Sequence, residues 1–265
     1  MRRVLPLLLL LAVSAPAEAA GSGADAAPAR REGMVRLPAG STSRLFAMAG
    51  DTVTRQAVGA FWLDRDPVTR AQFLQFVRRH PQWRRSNTPG VYAAGGTYLR
   101  DWRGDLDLGD AAAALPVTWV SWHAARAYCE AQGARLPTLA EWEYAAAADA
   151  TQRDASRDPQ FIQQLTALYA RRGHGVEPSS RLRANAWGVR GLHEFGWEWV
   201  EDFNATIASD DSRGFGGRDV DAVCASAAIG ATDTRNYPAF LRSALRAGLE
   251  GNSGMASLGF RCAAS

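Results

Sequence analysis

Two capping boxes constrain what this chain can fold into more than any other feature. Thr69-Arg-Ala-Gln72 and Thr138-Leu-Ala-Glu141 each set a threonine hydroxyl three residues ahead of a side-chain amide or carboxylate, the reciprocal pairing that satisfies free N–H groups at a helix start. After the first, Phe73, Phe76 and Val77 recur at helical intervals, which predicts a helix of about ten residues ending before His80-Pro81. After the second, Trp142, Tyr144, Ala145 and Ala148 continue a further helix. Between them Ser121 can cap a helix that turns Ala124, Ala125, Tyr128 and Cys129 inward and stops at Gly133. Asp158-Pro159 opens a fourth, with Phe161, Leu165 and Leu168 on one face and Gly173 beyond its end.

The remaining segments read differently. Met34 to Gly40 and Ala60 to Asp64 are short apolar or alternating runs bounded by Gly, Pro and Asp, expected as strands flanking a loop. Gln82 to Asp110 has no periodicity and reads as loop on a surface that binds something. From Asn185 to Cys262, Gly, Trp and short apolar runs predict small strands joined by long loops rather than regular helices.

Met1-Arg2-Arg3, an apolar run from Val4 to Val13 and then Ala17-Glu18-Ala19 follow the charged, apolar, small-residue order of a secretory signal peptide. Its apolar run of about ten residues is well short of the roughly 20 that span a bilayer, so no membrane span is expected once residues 1–19 are removed. Residues 20–33 are rich in Ala, Gly, Ser and charge and read as a flexible leader. Residues 34–265 read as one domain. The expected location is periplasmic or secreted. The formal charge of +3 becomes 3 − 2 + 1 = +2 without Arg2, Arg3 and Glu18, and the arginines are scattered, so nucleic acid is not implied as a partner.

Several chemistries are poorly served by these residues. His80, His123, His174 and His193 have no paired metal-ligand spacing, and Gly214-Phe-Gly-Gly217 lacks the lysine and helix of a phosphate loop. No Gly-x-Ser-x-Gly elbow is present. The carboxylate pairs Glu141 and Glu143, Glu198 and Glu201, and Asp210 and Asp211 read as solvated or capping groups. Trp197-Glu198-Trp199 is different, because a carboxylate between two large rings needs a partner. Arg242, Arg246 and Arg261 are candidates, and a bound calcium ion is the other role open to Glu198. Cys129, Cys224 and Cys262 are odd in number, so at most one bridge forms within the chain. Cys224, among the small residues of Asp221 to Gly230, reads either as a buried inert thiol or as a nucleophile or soft-metal ligand.

A set of ordered blocks resembles the formylglycine-generating enzyme (sulfatase-modifying factor) family: Leu37-Pro-Ala-Gly40, Asp66 to Phe73, Pro116 to Trp122, Gly133 to Thr138, Glu141-Trp-Glu-Tyr-Ala145, Asn185-Ala-Trp-Gly188, Trp197-Glu-Trp199 and Leu258-Gly-Phe-Arg-Cys-Ala263. The resemblance implies an α+β domain of the modified C-type-lectin-like kind with little regular secondary structure. It also implies a disulfide between Cys129 and Cys262, which leaves Cys224 as the odd thiol. The family's oxidase chemistry uses copper on two thiolates upstream of the Arg242-like arginine. Here Asp233 and Pro238 stand at those places, and neither offers a thiolate. Glu194-Phe195-Gly196 replaces the family's Gly-Asn-Val, so the calcium site near Glu198 loses its asparagine.

The signal peptide, the small-residue stretch from Cys224 to Ala231 and the missing thiolate pair resemble an exported branch that includes proteins of pyoverdine maturation and accessory proteins of copper nitrite reductases. Two functions follow from the resemblance. One is oxidative maturation of a peptide or protein substrate in the periplasm, with Cys224 as the reacting group and Trp197, Glu198, Arg242, Arg246 and Arg261 around the cleft. The other is a non-catalytic binding or assembly factor.

Overall fold

The computed structural model describes residues 32–43, 55–94, 96–110, 112–170, 178–194, 196–204 and 236–265. Helix α1 spans Arg70–Arg79, with the Thr69 hydroxyl accepting from the Gln72 N–H and the Gln72 side chain reaching back to the Thr69 N–H. Helix α2 spans Trp122–Ala131 behind the Ser121 cap, and Gly133 beyond its end takes a φ of 66°, a left-handed conformation that a side chain disfavours. Helix α3, Leu139–Ala146, carries the second capping box through Thr138 and Glu141. Helix α4 covers Pro159–Ala170. All four follow the expected starts, because capping chemistry is local and does not wait on packing.

Strands β1 (Met34–Leu37) and β4 (Phe61–Asp64) pair antiparallel, Leu37 opposite Phe61 and Met34 opposite Asp64. Strand β7 (Ala263–Ala264) adds to the far edge of β4, so β4 lies in the centre of a three-stranded sheet. Phe61, Trp62 and Leu63 are all buried rather than alternating, so both faces of β4 are covered. Strands β2 (Gly40–Ser43) and β3 (Arg55–Val58) form a separate antiparallel pair, and β5 (Trp197–Glu198) pairs parallel with β6 (Leu258–Gly259).

The core lies between this sheet and the inward faces of α1 and α2. Phe260 meets Phe73 and Tyr128 edge to face at centroid distances of 6.0 and 5.3 Å, in the geometry where ring quadrupoles attract. Cys129 and Cys262 form a disulfide with Cα atoms 5.5 Å apart, as the resemblance implied. It closes a sequence separation of 133 residues, worth roughly 5 kcal/mol in the loop-entropy model.

Two expectations need correction. The tract from Gln82 to Asp110 is irregular, as expected, but it is not simply surface: Tyr98, Leu99 and Trp102 are buried in the core. Leu99 and Trp119 both take positive φ, 48° and 56°, and the Leu99 N–H donates to the Trp119 carbonyl at 2.8 Å. The region after Asn185 also contains a regular helix, α5, spanning Tyr237–Ala247. Asn236 caps it and Pro238 sits in its first turn. Its buried positions are Pro238, Ala239, Arg242, Ser243 and Arg246, a helical period carried largely by polar residues. Its apolar stripe, Tyr237, Phe240, Leu241, Ala244 and Leu245, lies on the other, less buried face, so apolar periodicity points to the wrong side of the helix.

Candidate functional site

Trp142 and Glu143, neighbours on α3, face two different buried ion clusters. The Trp142 indole Nε1–H donates to Glu198 Oε2 at 2.7 Å. Glu198, on β5, also accepts from Arg261 Nε and Nη2, both at 2.8 Å, a two-pronged pair in which both side chains are wholly buried. Arg261 directs its remaining N–H groups to the carbonyls of Asp64, Arg65 and Arg190. The pair is therefore saturated, which is what makes a buried charge tolerable. Of the three arginines set against Glu198 by the sequence, the structure brings Arg261 to it. Both Glu198 oxygens are occupied by protein donors, so the carboxylate does not fit a calcium ligand.

Arg242 and Arg246, one turn apart on α5, meet Glu143 instead. Arg242 donates through Nε at 2.9 Å and through Nη2, and Arg246 donates through Nη1 at 3.2 Å. Both guanidinium groups lie over the Trp142 ring, at 5.4 and 4.6 Å from its centroid. Burial works to raise the Glu143 carboxyl, but Arg242 and then Arg246 overcome it and hold the group below the usual range. The reading of Glu143 as solvated or capping is thus overturned, whereas Glu141 does cap, with Arg135 paired to it at 2.6 Å. Glu143 carries a legible signal only in combination: two inward arginines spaced i, i+4 require an acid.

Arg242 Nη1 also donates to the Tyr169 hydroxyl at 3.2 Å, and that hydroxyl lies 2.8 Å from His193 Nδ1. His193 Nε2 lies 2.9 Å from the Ala146 carbonyl, which can only accept, so Nε2 carries the proton and Nδ1 accepts from Tyr169. Burial, then the charge of Arg242, push His193 down to about 3, so it is neutral near pH 7. The chain of donors from Arg242 through Tyr169 to His193 joins α5, α4 and the 183–194 segment. Trp197 is half-buried with its ring 5.3 Å from that of Tyr169.

Two cavities adjoin this network. A small one of about 40 Å³ is bordered by Glu143, Arg242, Asn236 and Ser156. A larger one of about 540 Å³ is bordered by Leu168, Asn185, His193 and Glu194. Phe161 and Leu165 of α4 border both. The larger volume is that of a small-ligand or side-chain pocket.

Cys224 and Asp233 lie outside the described residues. Pro238 is buried in the first turn of α5. The two described cysteines are bonded to each other, so no described thiolate stands where the resemblance puts copper, and the residues there do not fit that ion. Among the described residues, no cluster of His, Cys, Asp and Glu could hold a metal ion, and no helix is long and apolar enough to cross a membrane.

The fold and this site define a mixed helix-and-sheet domain built round buried arginine–carboxylate pairs. Residues 21–265 match the sulfatase-modifying factor enzyme 1-like domain, and the chain belongs to that family. It is 30% identical over 218 residues to the formylglycine-generating enzyme of Mycobacterium tuberculosis, covering 63% of this chain and 73% of that protein. It is 29% identical to the mouse (Mus musculus) inactive C-alpha-formylglycine-generating enzyme 2, covering 98% of this chain and 92% of the relative. The solved structure of PvdO from Pseudomonas aeruginosa superposes with a TM-score of 0.46 at 20% identity, over 88% of this chain and 94% of that one.

Proposed function

We propose that this is an exported protein, with residues 1–19 as signal peptide, 20–33 as leader and 34–265 as a modified C-type-lectin-like domain. It acts in oxidative maturation of a peptide or protein substrate, with dioxygen as the oxidant. The observation that carries the reading is the 540 Å³ cavity set against the Arg242–Tyr169–His193 chain, in a member of the sulfatase-modifying factor family. Arg242, Arg246, Glu198 and Arg261 act as a rigid charged frame, since each is already bonded within the protein. Cys224, the cysteine left over by the Cys129–Cys262 bridge, is the reacting group in this reading.

One observation favours a second reading, a non-catalytic binding or assembly factor for a periplasmic protein. A buried proline stands at a position where the family's chemistry needs a thiolate. Oxygen uptake and peptide mass change, measured on purified protein and its Cys224→Ser variant with cysteine-containing peptides, separate the two. Uptake that is lost in the variant supports oxidation. Peptide binding without uptake or mass change supports the binding factor. Cell fractionation with sequencing of the mature N-terminus tests export, with a start after Ala19 or Ala20 expected.

A further inference from the structure

The 540 Å³ cavity between α4 and the 183–194 segment has polar residues on its border, yet the polar atoms of two of them are spent on the protein itself. His193 gives its Nε2 proton to the Ala146 carbonyl and takes the Tyr169 hydroxyl at Nδ1, so neither ring nitrogen is left for a ligand. Asn185 accepts at Oδ1 from the N–H groups of Trp187 and Val189 and donates its amide to the Ala145 carbonyl. The same cavity is bordered by Ala148, Leu165, Val189 and Leu192, all buried, and by the half-buried Phe161 and Leu168 of α4.

Charge enters elsewhere. Arg183 and Glu194 border the cavity from exposed positions, and Asp149 already accepts at Oδ1 from the N–H groups of Thr151 and Gln152. Judged by available atoms rather than by residue names, the cavity is apolar within and charged at its solvent edge.

That division decides what fits. A polar group set against His193 or Asn185 would give up water and gain no bond in return, whereas an apolar group removes its own surface from water at no such cost. Arg183 and Glu194, opposite in charge, suit the carbonyl and N–H groups of a peptide backbone better than a uniformly apolar chain.

We infer that this cavity is a side-chain pocket for a large apolar residue of the polypeptide on which the protein acts, with the backbone flanking that residue lying along Arg183 and Glu194. The assignment rests on the peptide or protein substrate of the proposed function and adds a selectivity to it. It holds whether that polypeptide is oxidised or only bound, because no atom of the pocket takes part in chemistry.

The test uses capped, cysteine-free pentapeptides, acetyl-Gly-Gly-X-Gly-Gly-amide with X as phenylalanine, leucine or serine, titrated into the purified full chain by calorimetry. Phenylalanine and leucine are expected to bind at least about tenfold more tightly than serine. Leu168→Asp, which puts a charge among the apolar residues, is expected to abolish that preference. Leu168→Trp, which fills the cavity with carbon, is expected to do the same while keeping the wild-type melting midpoint. A pentapeptide with benzoylphenylalanine at X, irradiated with the protein and mapped by mass spectrometry, is expected to join α4 or residues 183–194. Equal affinities for the three peptides, no binding of any of them, a preference that survives both variants, or a crosslink elsewhere each overturns the assignment. Octanoate that binds more tightly than the phenylalanine peptide overturns it in favour of a lipid chain. Selective binding that persists in Cys224→Ser, in a protein that takes up no oxygen, upholds the pocket and removes only the oxidation.

Discussion

The Trp142 indole nitrogen stands 2.7 Å from Glu198 Oε2 while two arginines lie over the same ring. One side chain thereby joins an ion pair anchored near the end of the sequence to another anchored on α5. Trp142→Phe keeps most of the ring and removes the donor. It is expected to cost about 1–3 kcal/mol in urea unfolding, because a buried carboxylate loses one of its hydrogen bonds.

Glu143→Gln leaves two buried guanidinium groups without their carboxylate. It is expected to destabilise by about 3–5 kcal/mol, or to prevent folding. Glu141→Gln keeps the capping geometry and loses only a part-exposed pair with Arg135, so about 1 kcal/mol or less is expected. Equal losses in the two variants would contradict the assignment of Glu143 as the buried anchor.

Asp64 and His193 give opposite pH dependences. Burial raises the Asp64 carboxyl to about 6, so the folded state holds its proton more tightly than the unfolded one, and this contribution is lost as pH rises from about 4 to 6. His193 is depressed to about 3, so its contribution is present above the unfolded value near 6.5 and is lost as pH falls below it. The two slopes oppose each other between pH 4 and 6. Asp64→Asn is expected to become progressively more stable relative to wild type as pH rises across that window, by up to about 3 kcal/mol in denaturant titrations. A difference that does not change with pH would refute the raised carboxyl.

Gly196 takes a φ of 131°, and a Cβ there would meet the Ser257 carbonyl oxygen at 2.5 Å. That carbonyl accepts from the Trp197 N–H at 2.7 Å where β5 meets β6, so neither partner can yield without breaking the strand pair that presents Glu198. Gly196→Ala is expected to cost at least about 2 kcal/mol, whereas Gly59→Ala, with open space around it, is expected to be near neutral in thermal unfolding.

Labelling of the unfolded, unreduced protein with iodoacetamide is expected to add one carbamidomethyl group, and three after reduction, since 3 − 2 = 1 thiol is left by the Cys129–Cys262 bridge. Mass spectrometry of the intact chain reads this directly. Replacing both bridged cysteines by serine is expected to cost roughly 5 kcal/mol.

What was legible in the sequence divides by range. Thr69, Ser121 and Thr138 marked their helices because each cap acts on N–H groups two or three residues away. Phe73, Tyr128 and Cys129 were readable as core from their spacing. Helix α5 was not, because Arg242, Ser243 and Arg246 form its inward face and look like surface residues until Glu143 is placed opposite them. The choice of Arg261 for Glu198 is likewise fixed across 63 residues of sequence, beyond the reach of local pattern. The pocket over His193 arises from α4 and the 183–194 segment together, and neither shows it alone.

Residues 258–264 supply Phe260 to the aromatic core, Arg261 to Glu198, Cys262 to Cys129 and the edge strand to β4. A nascent or truncated chain stopping before Leu258 would hold Glu198 without its countercharge and Phe73 and Tyr128 without their neighbour. Such a chain lacks all of these contacts at once, so the aromatic core and the Glu198 pair can close only when that segment arrives. A short stretch of sequence thereby ties together the ion pair, the bridge and the edge of the sheet.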